Sequence, residues 1–596
     1  MKWVILFLLL TTAAAAQEVI SKGNITLLAL MENGTTKSGS VAALVLELRP
    51  GDERVFLETF PMTKVTTQAS LRFAQQMACK QLEMDCSNYD FLFTIRSLPG
   101  IVGGPSAGGA AALLTASLLL NKTIPADIAM TGTINSGGTI GPVGGLKQKV
   151  EAAAGNHIRL VLLPKGTKDV KEGNKTLDLV QYGKDLNLTV QEVSTLGEVL
   201  ELALGVPQEI SNESLQIEGR YQRLMKEVSE DLCRRSAEYF SRPLKENLTQ
   251  AKNFTERAAV DSQRGAYYAA ASYCFRANVE YKSEWYLEQN FSKEELEKRV
   301  VALKNDAEKI QKEIEARNIT TLTDLQTFMA VMERIDETKN LVSEVEDDLK
   351  NNRTDSASKV GFAEERLFSG ITWSRFFNGQ DKAVVIDKAA LQSVCIEKIS
   401  EAEERYNYVK SVVPEALDAT RGDIDRTYSL LNDGKYIMCL YNAAKAKSEA
   451  DVLLSLMGVE EQRFNEVIDL KLQIARQALM KAQRKNIFPI IAYSYYEYAS
   501  SLKDFDRVSS LLFAEYALEL ANFDIYFELQ KPVKPRVQLP KKLPPEFFAF
   551  VTGFAFGGII IWIIMRQLQK SKSLKSDSSF QTLQTPRKRR LRGKKR

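Results

Sequence analysis

Gly104-Pro105-Ser106-Ala107-Gly108 and, 43 residues after the serine, Lys149 at the end of Gly144-Gly145-Leu146-Lys147-Gln148-Lys149 decide how this chain is read. The pair offers a hydroxyl nucleophile and an amine in a chain of 596 residues with a single histidine. A serine hydroxyl is a poor nucleophile until a base takes its proton. His157 follows Gly155-Asn156 and reads as a polar residue at a helix end rather than as that base. A lysine serves when burial disfavours its charged form. Ile140, Val143, Leu146 and Val150 flank Lys149 and are suited to burying it. The glycines around Ser106 allow a tight turn. A helix starting at Gly109 is expected to turn free N–H groups toward a developing oxyanion.

Strand and helix signals alternate around this core. Residues 25–30, 41–48, 55–58 and 91–95 read as strands, with a turn at Pro50-Gly51-Asp52 between the second and third. Residues 70–84 and 146–154 have helical spacing, and 109–120 is an Ala/Leu-rich helix. Residues 128–131 and 160–163 are short buried strands. The mixture ends near Gly205-Val206-Pro207, so an α+β domain is expected over 17–206. From 207 to 530 Gly and Pro are sparse and apolar residues recur at helical spacing, which predicts an all-α region of hairpins. Residues 292–350 are highly charged and read as long hairpin helices, partly coiled-coil.

The helical region carries a faint repeat. Gly265-Ala266-Tyr267 leads to Ala277 at the spacing with which Gly434-Lys435-Tyr436 leads to Ala446. Each copy has a cysteine upstream, Cys233 or Cys395, and one inside the helix, Cys274 or Cys439. The repeat predicts Cys233–Cys274 and Cys395–Cys439 as equivalent bridges, leaving Cys79–Cys86, among the connectivities that six cysteines allow. Small and aromatic spacing suits tetratricopeptide-like helix pairs, and an irregular bundle suits it as well. There is no CxxC or Cys/His cluster, so neither a zinc site nor another metal or cofactor is expected.

The ends point to export. Lys2, the apolar run 3–10 and Ala14-Ala15-Ala16 before Gln17 form a signal-peptide pattern over residues 1–16. Residues 547–565 are uncharged and long enough to span a bilayer as a helix, preceded by a Pro/Lys-rich spacer at 531–546. The tail from residue 566 to 596 holds twelve Lys and Arg against one Asp. The chain's net charge of +4 therefore comes from its tail, and a uniformly basic nucleic-acid binder is not indicated. Positive-inside logic puts the tail in the cytoplasm and the N-terminal bulk outside the cell. Eleven Asn-x-Ser/Thr sequons, at Asn24, Asn33, Asn121, Asn174, Asn187, Asn212, Asn247, Asn253, Asn290, Asn318 and Asn352, suit a glycoprotein in an exported position. Cysteines in an oxidising compartment are expected as disulfides.

Residues 104–167 resemble the proteolytic domain of the Lon family. The resemblance rests on Gly104-Pro105-Ser106-Ala107-Gly108, Ala126-Asp127-Ile128-Ala129-Met130-Thr131-Gly132, Gly141-Pro142-Val143-Gly144-Gly145-Leu146-Lys147-Gln148-Lys149 and Leu162-Leu163-Pro164-Lys165. Val193-Ser194-Thr195-Leu196 with Glu198-Val199-Leu200 is similar to that domain's closing segment, so the likeness extends over about 24–205. It implies a Ser-Lys dyad serine endopeptidase, with Ser106 as nucleophile, Lys149 as general base and Thr131 as the residue orienting the amine. Asp127 is implied to be structural, and residues 91–95 with the loop through Gly103 to pair with extended substrate. This chain has Gly103 where many Lon domains carry an acidic residue, and Thr133 where Glu often follows Met-Thr-Gly. No G-x-x-x-x-G-K-[ST] occurs, so the ATP motor of Lon proteins is missing. The arrangement resembles a membrane-anchored archaeal branch of Lon-type peptidases. It implies ATP-independent hydrolysis of exported or unfolded proteins at the outer face of the cell membrane. Partners are then protein or peptide substrates, the membrane through one helix, and further copies of the chain, since Lon domains form rings. The contrasting readings are an inactive Lon-like scaffold and a protein that cuts only itself.

Overall fold

Alternating apolar residues build one mixed sheet, and Thr131 directly follows one of its central strands. The computed structural model describes residues 19–33, 36–60, 65–97, 104–173, 175–207, 214–241, 248–351, 353, 356–413, 418–457, 459, 461–527 and 561–566. The signal-peptide pattern, the spacer and, apart from residues 561–565, the 547–565 span lie outside these residues, as does the tail beyond 566. Among the described residues no helix is long and apolar enough to cross a membrane.

The sheet contains β1 (Ser21–Asn33), β2 (Thr36–Pro50), β3 (Val55–Phe60), β4 (Tyr89–Ser97), β5 (Ile128–Met130), β8 (Leu160–Pro164) and β11 (Thr189–Val193), in the order β11-β8-β5-β1-β2-β4-β3. β1 and β2 form a hairpin much longer than their apolar cores at 25–30 and 41–48. The other strands named from the sequence appear within a few residues of their expected bounds. Between β5 and β8 a small hairpin, β6 (Thr133–Asn135) and β7 (Thr139–Gly141), leaves the sheet, and β9 (Asp169–Glu172) pairs with β10 (Lys175–Asp178) as a polar flap. Neither pair was anticipated: β6 and β7 are three residues each, and the mostly polar four-residue β9 and β10 show no apolar alternation.

One expectation is overturned here. β4 is hydrogen-bonded to β2 along one edge and to β3 along the other. Its backbone groups at 91–95 are already paired, so this strand cannot add an extended substrate.

Odd positions of β1 and even positions of β2, such as Ile25, Leu27, Leu44 and Leu46, face a core with α1 (Val65–Gln81), α2 (Gly108–Leu119) and α5 (Leu196–Leu204). Helix α2 is buried on every side from Gly108 to Leu118, which explains its Ala/Leu composition without a polar face. On the other face Leu28 and Val161 meet α3 (Leu146–Gly155) and α4 (Leu179–Asp185). The result is a three-layer α/β domain with Lys149 on α3.

The helical region begins with α6 (Gly219–Phe240), α7 (Thr249–Gln263), α8 (Tyr267–Glu288), α9 (Lys293–Glu315), α10 (Leu322–Lys350) and α11 (Ser356–Trp373). It continues with α12 (Lys388–Val412), α13 (Asp418–Asn432), α14 (Tyr436–Leu456), α15 (Phe464–Arg484), α16 (Ile490–Leu502) and α17 (Arg507–Leu520). The charged stretch at 292–350 is the hairpin α9–α10. A capping box at Ser292 and Glu295 starts α9. The repeat corresponds to two helix triads, α6–α8 and α12–α14, each with a left-handed glycine, Gly265 or Gly434, before its third helix. The bridges are Cys233–Cys274, Cys395–Cys439 and Cys79–Cys86, as the repeat predicts. Each triad bridge ties the first helix to the third. Replacing Cys395 and Cys439 by serine is expected to cost about 2–4 kcal/mol. A thermal melt in oxidising buffer checks this, and an unchanged midpoint refutes it.

The helices have their own large core, yet the described residues up to Phe527 form one compact unit with the α/β domain. The boundary between the two is polar. Four buried charges, Lys398, Glu401, Lys447 and Glu519, meet there with the β6–β7 turn. Lys398 and Lys447 each pair with Glu401 and Glu519, at 2.5–2.9 Å. Ser136 donates to Glu519 at 2.5 Å and accepts from Lys447 at 3.2 Å.

Candidate active site

Ser106 lies in a single 3-10 turn, Pro105–Ala107, that feeds α2. Pro105 presets the turn and Gly104 enters it at φ 123°, a backbone region that favours glycine. Thr67 of α1 accepts the Gly104 N–H at 3.3 Å. The Ser106 carbonyl accepts from the Gly132 N–H at 3.1 Å, and the Gly109 N–H donates to the Gly132 carbonyl at 3.0 Å. The serine turn is thus sewn to the residue that follows Thr131. The Gly108 N–H is engaged by Pro105. The first two amides of α2 are therefore taken, contrary to the expectation of free donors from Gly109. The 3-10 turn and its bonds to Gly132 consume them.

Lys149 enters from the opposite side. Gly145, left-handed at φ 67°, ends the loop and starts α3, and a Cβ there would sit 2.4 Å from Leu30 Cδ1. The lysine is 3% exposed, and its Nζ donates to Thr131 Oγ1 at 2.9 Å. Thr131 is itself fully buried. Ile140, Val143, Leu146 and Val150 are all buried around this part of the fold. Burial alone pulls the Lys149 pKa down to about 7. Lys147, two residues earlier, behaves oppositely. It pairs with Glu172 at 2.6 Å, and that hydrogen bond raises its pKa. The two lysines of the motif are thus a fixed cation at the surface and a buried amine poised near neutrality.

The structure brings Ser106, Lys149 and Thr131 together through residues 131–132. Ser106 is half-buried, and its hydroxyl is not hydrogen-bonded to Lys149 among the described residues. In unliganded enzymes such contacts often tighten only with substrate. Asp127 pairs with Arg159 at 2.7 Å near the surface, a structural role. His157 is exposed, with φ 59°, just past the end of α3. Among the described residues no cluster of His, Cys, Asp or Glu is suited to holding a metal ion.

Sequence reading missed the contribution of α12. Tyr408 Oη accepts the Gly144 N–H at 2.9 Å, next to the loop glycine that starts α3. Arg405, 2% exposed, donates to Asn135 Oδ1 at 2.6 Å and to the Ile134 carbonyl at 3.4 Å. Their partners lie 264 to 271 positions away, and nothing local marks either residue.

Comparison with known proteins bears on residues 66–206, which match the family model of the Lon protease (S16) C-terminal proteolytic domain. A Lon protease of Paraburkholderia phytofirmans is 37% identical over 135 residues, covering 22% of this chain and 17% of that protein. A Lon protease of Haemophilus influenzae is 41% identical over 106 residues, 18% of this chain and 12% of that protein. One from Methanosphaera stadtmanae is 30% identical over 177 residues, 29% of this chain and 20% of that protein. The chain thus spans at most a fifth of the length of these relatives.

Proposed function

We propose that this chain, built on a Lon-type proteolytic domain, is an ATP-independent serine endopeptidase with Ser106 as nucleophile and Lys149 as general base. The observation that carries the reading is Lys149: a buried amine with no carboxylate partner among the described residues, bonded to Thr131, one residue from the segment that holds the serine turn. Neutral Lys149 takes the Ser106 hydroxyl proton as Oγ adds to the substrate carbonyl carbon. The protonated amine then gives that proton to the departing amine as the C–N bond breaks. Water attacks the acyl-serine, Lys149 takes a proton from it, and Ser106 Oγ leaves with one. Thr131 keeps Nζ aimed during these transfers.

The substrates are exported or unfolded proteins at the outer face of the cell membrane, with the 547–565 segment as anchor and residues 566–596 in the cytoplasm. Further copies of the chain are possible partners in assembly. The exposed side chains of Asn24, Asn121, Asn187, Asn253, Asn290 and Asn318 support a glycosylated, exported position. The alternative, an inactive or self-processing scaffold, is favoured by one observation, the absence of a Ser106–Lys149 hydrogen bond.

The test is fluorescent casein hydrolysis by the full chain in detergent, without ATP, beside Ser106→Ala. Activity in the parent, indifferent to added ATP and lost in Ser106→Ala, is expected. Activity that survives Ser106→Ala sinks the dyad. A parent that leaves casein intact but shows a Ser106-dependent truncation in its own mass spectrum favours self-processing.

A further inference from the structure

Several helices of the helical region reach the loops around the candidate dyad, and α12 alone among the described helices hydrogen-bonds both the β6 strand and the loop before Lys149. Arg405 of α12 binds both the Asn135 side chain and the Ile134 carbonyl in β6, three to four residues beyond Thr131. Its guanidinium is in turn paired with Asp451 of α14 at 2.8 Å, both groups being buried. One turn along, Tyr408 caps the Gly144 N–H five residues before Lys149. On the adjacent flank Glu404 accepts from Ser70, and Glu397 accepts from Gln76 at 2.7 Å, both on α1. Helix α1 is the element whose Thr67 holds Gly104 before the nucleophile. Helix α12 also packs directly on the 3-10 turn of Ser106.

Two of these contacts, to the Ile134 carbonyl and the Gly144 N–H, are directed hydrogen bonds to backbone groups beside the site, where distance and angle matter. Strand β6 and the 142–145 loop are held by Ile134 and Val143 in the core. The α12 hydrogen bonds add a directional constraint, where a shift near 1 Å in a reacting group is enough to lower rate strongly.

We propose that α12 is an intramolecular clamp that sets the active-site geometry, with Tyr408 and Arg405 as positioning residues for the lysine-bearing loop and for the strand after Thr131. The proposal rests on the Ser106–Lys149 reading for its catalytic consequence, but the clamp itself is measurable without catalysis.

Tyr408→Phe removes one acceptor and keeps the ring. Tyr441→Phe is the control, since the Tyr441 hydroxyl bonds Glu333 and Tyr495 inside the helical core, away from the loops. Two readouts are needed on the full chain. Hydrogen–deuterium exchange followed by mass spectrometry is expected to show faster exchange over 142–149 in Tyr408→Phe and parental exchange in Tyr441→Phe. Casein kinetics are expected to show kcat lowered about tenfold with KM within about twofold, and parental values for Tyr441→Phe. Arg405→Lys, which keeps a donor and the charge, is expected to lie between Arg405→Gln and the parent in kcat. Parental exchange over 142–149 in Tyr408→Phe overturns the clamp. Faster exchange with parental kcat overturns the positioning role. Hydrolysis that persists in Ser106→Ala fails the dyad reading alone, and the exchange data still judge the clamp.

Discussion

Lys149→Met is expected to abolish hydrolysis and, at the same time, to make the protein more stable. The rate loss follows from the base role and should reach about 10⁴-fold, the usual order for a member of a catalytic unit. The gain follows from burial. Lys149 has a folded pKa of about 7 against an ordinary 10.5, with burial as the cause. The folded state therefore binds fewer protons than the unfolded chain between these values, and stability rises with pH across that window. At and below pH 7 the parent carries the full penalty, which methionine removes. A net gain of about 2–3 kcal/mol is expected at pH 6.5, after the lost Thr131 hydrogen bond. The gain should shrink as pH rises and turn into a small loss near pH 10.5, where only the missing Thr131 hydrogen bond remains. Differential scanning fluorimetry of parent and variant between pH 6 and 10 checks this. A lower midpoint for the variant at pH 6.5 would falsify the buried-amine account. In the parent, kcat/KM should rise with pH with a midpoint of about 7, because only the neutral amine accepts the proton.

The second large effect lies at the polar boundary. Glu519→Ala is expected to cost about 3–5 kcal/mol, because it strips two buried lysines of a shared partner. Burial works against the Glu519 carboxylate, but Lys398 and Lys447 outweigh it and hold its pKa well below the usual range. A depressed folded pKa contributes stability that is present above the ordinary carboxylate value and is lost as pH falls below it. The parent should thus show a steeper loss of stability below about pH 4 than Glu519→Ala does. Urea unfolding at pH 7 and pH 3.5 provides the comparison. A variant as stable as the parent at pH 7 would show that these four charges merely tolerate one another. Because Ser136 in the β6–β7 turn bonds Glu519, the variant should also lower activity through the loop that follows Thr131.

Some of this was legible in the residues and some was not. The serine turn, the lysine helix and the threonine lie within 44 consecutive positions, and their glycines and apolar flanks announce local geometry. Two of the three disulfides were readable because a repeated spacing ties their cysteines to the two helix triads, and Cys79–Cys86 followed as the remaining pair. The clamp was not. Arg405 and Tyr408 sit in an ordinary charged helix, and what distinguishes them is the tertiary contact of a region more than 260 positions distant. The role assigned to β4 failed for a similar reason. Residues 91–95 have the composition of a strand, but whether its edges are free depends on β3, which comes from before α1 and inserts alongside it in parallel.

The two triad bridges have a topological consequence under the proposed peptidase activity. Cys233–Cys274 encloses the connector at 242–247, and Cys395–Cys439 encloses the connector at 414–417. A break in either connector opens a ring without releasing a piece, since both halves remain joined through sulfur. The clamp helix α12, with its cysteine at one end and its connector just past the other, would stay attached after such a nick. A nick at these points would leave the chain joined for as long as its surroundings remain oxidising.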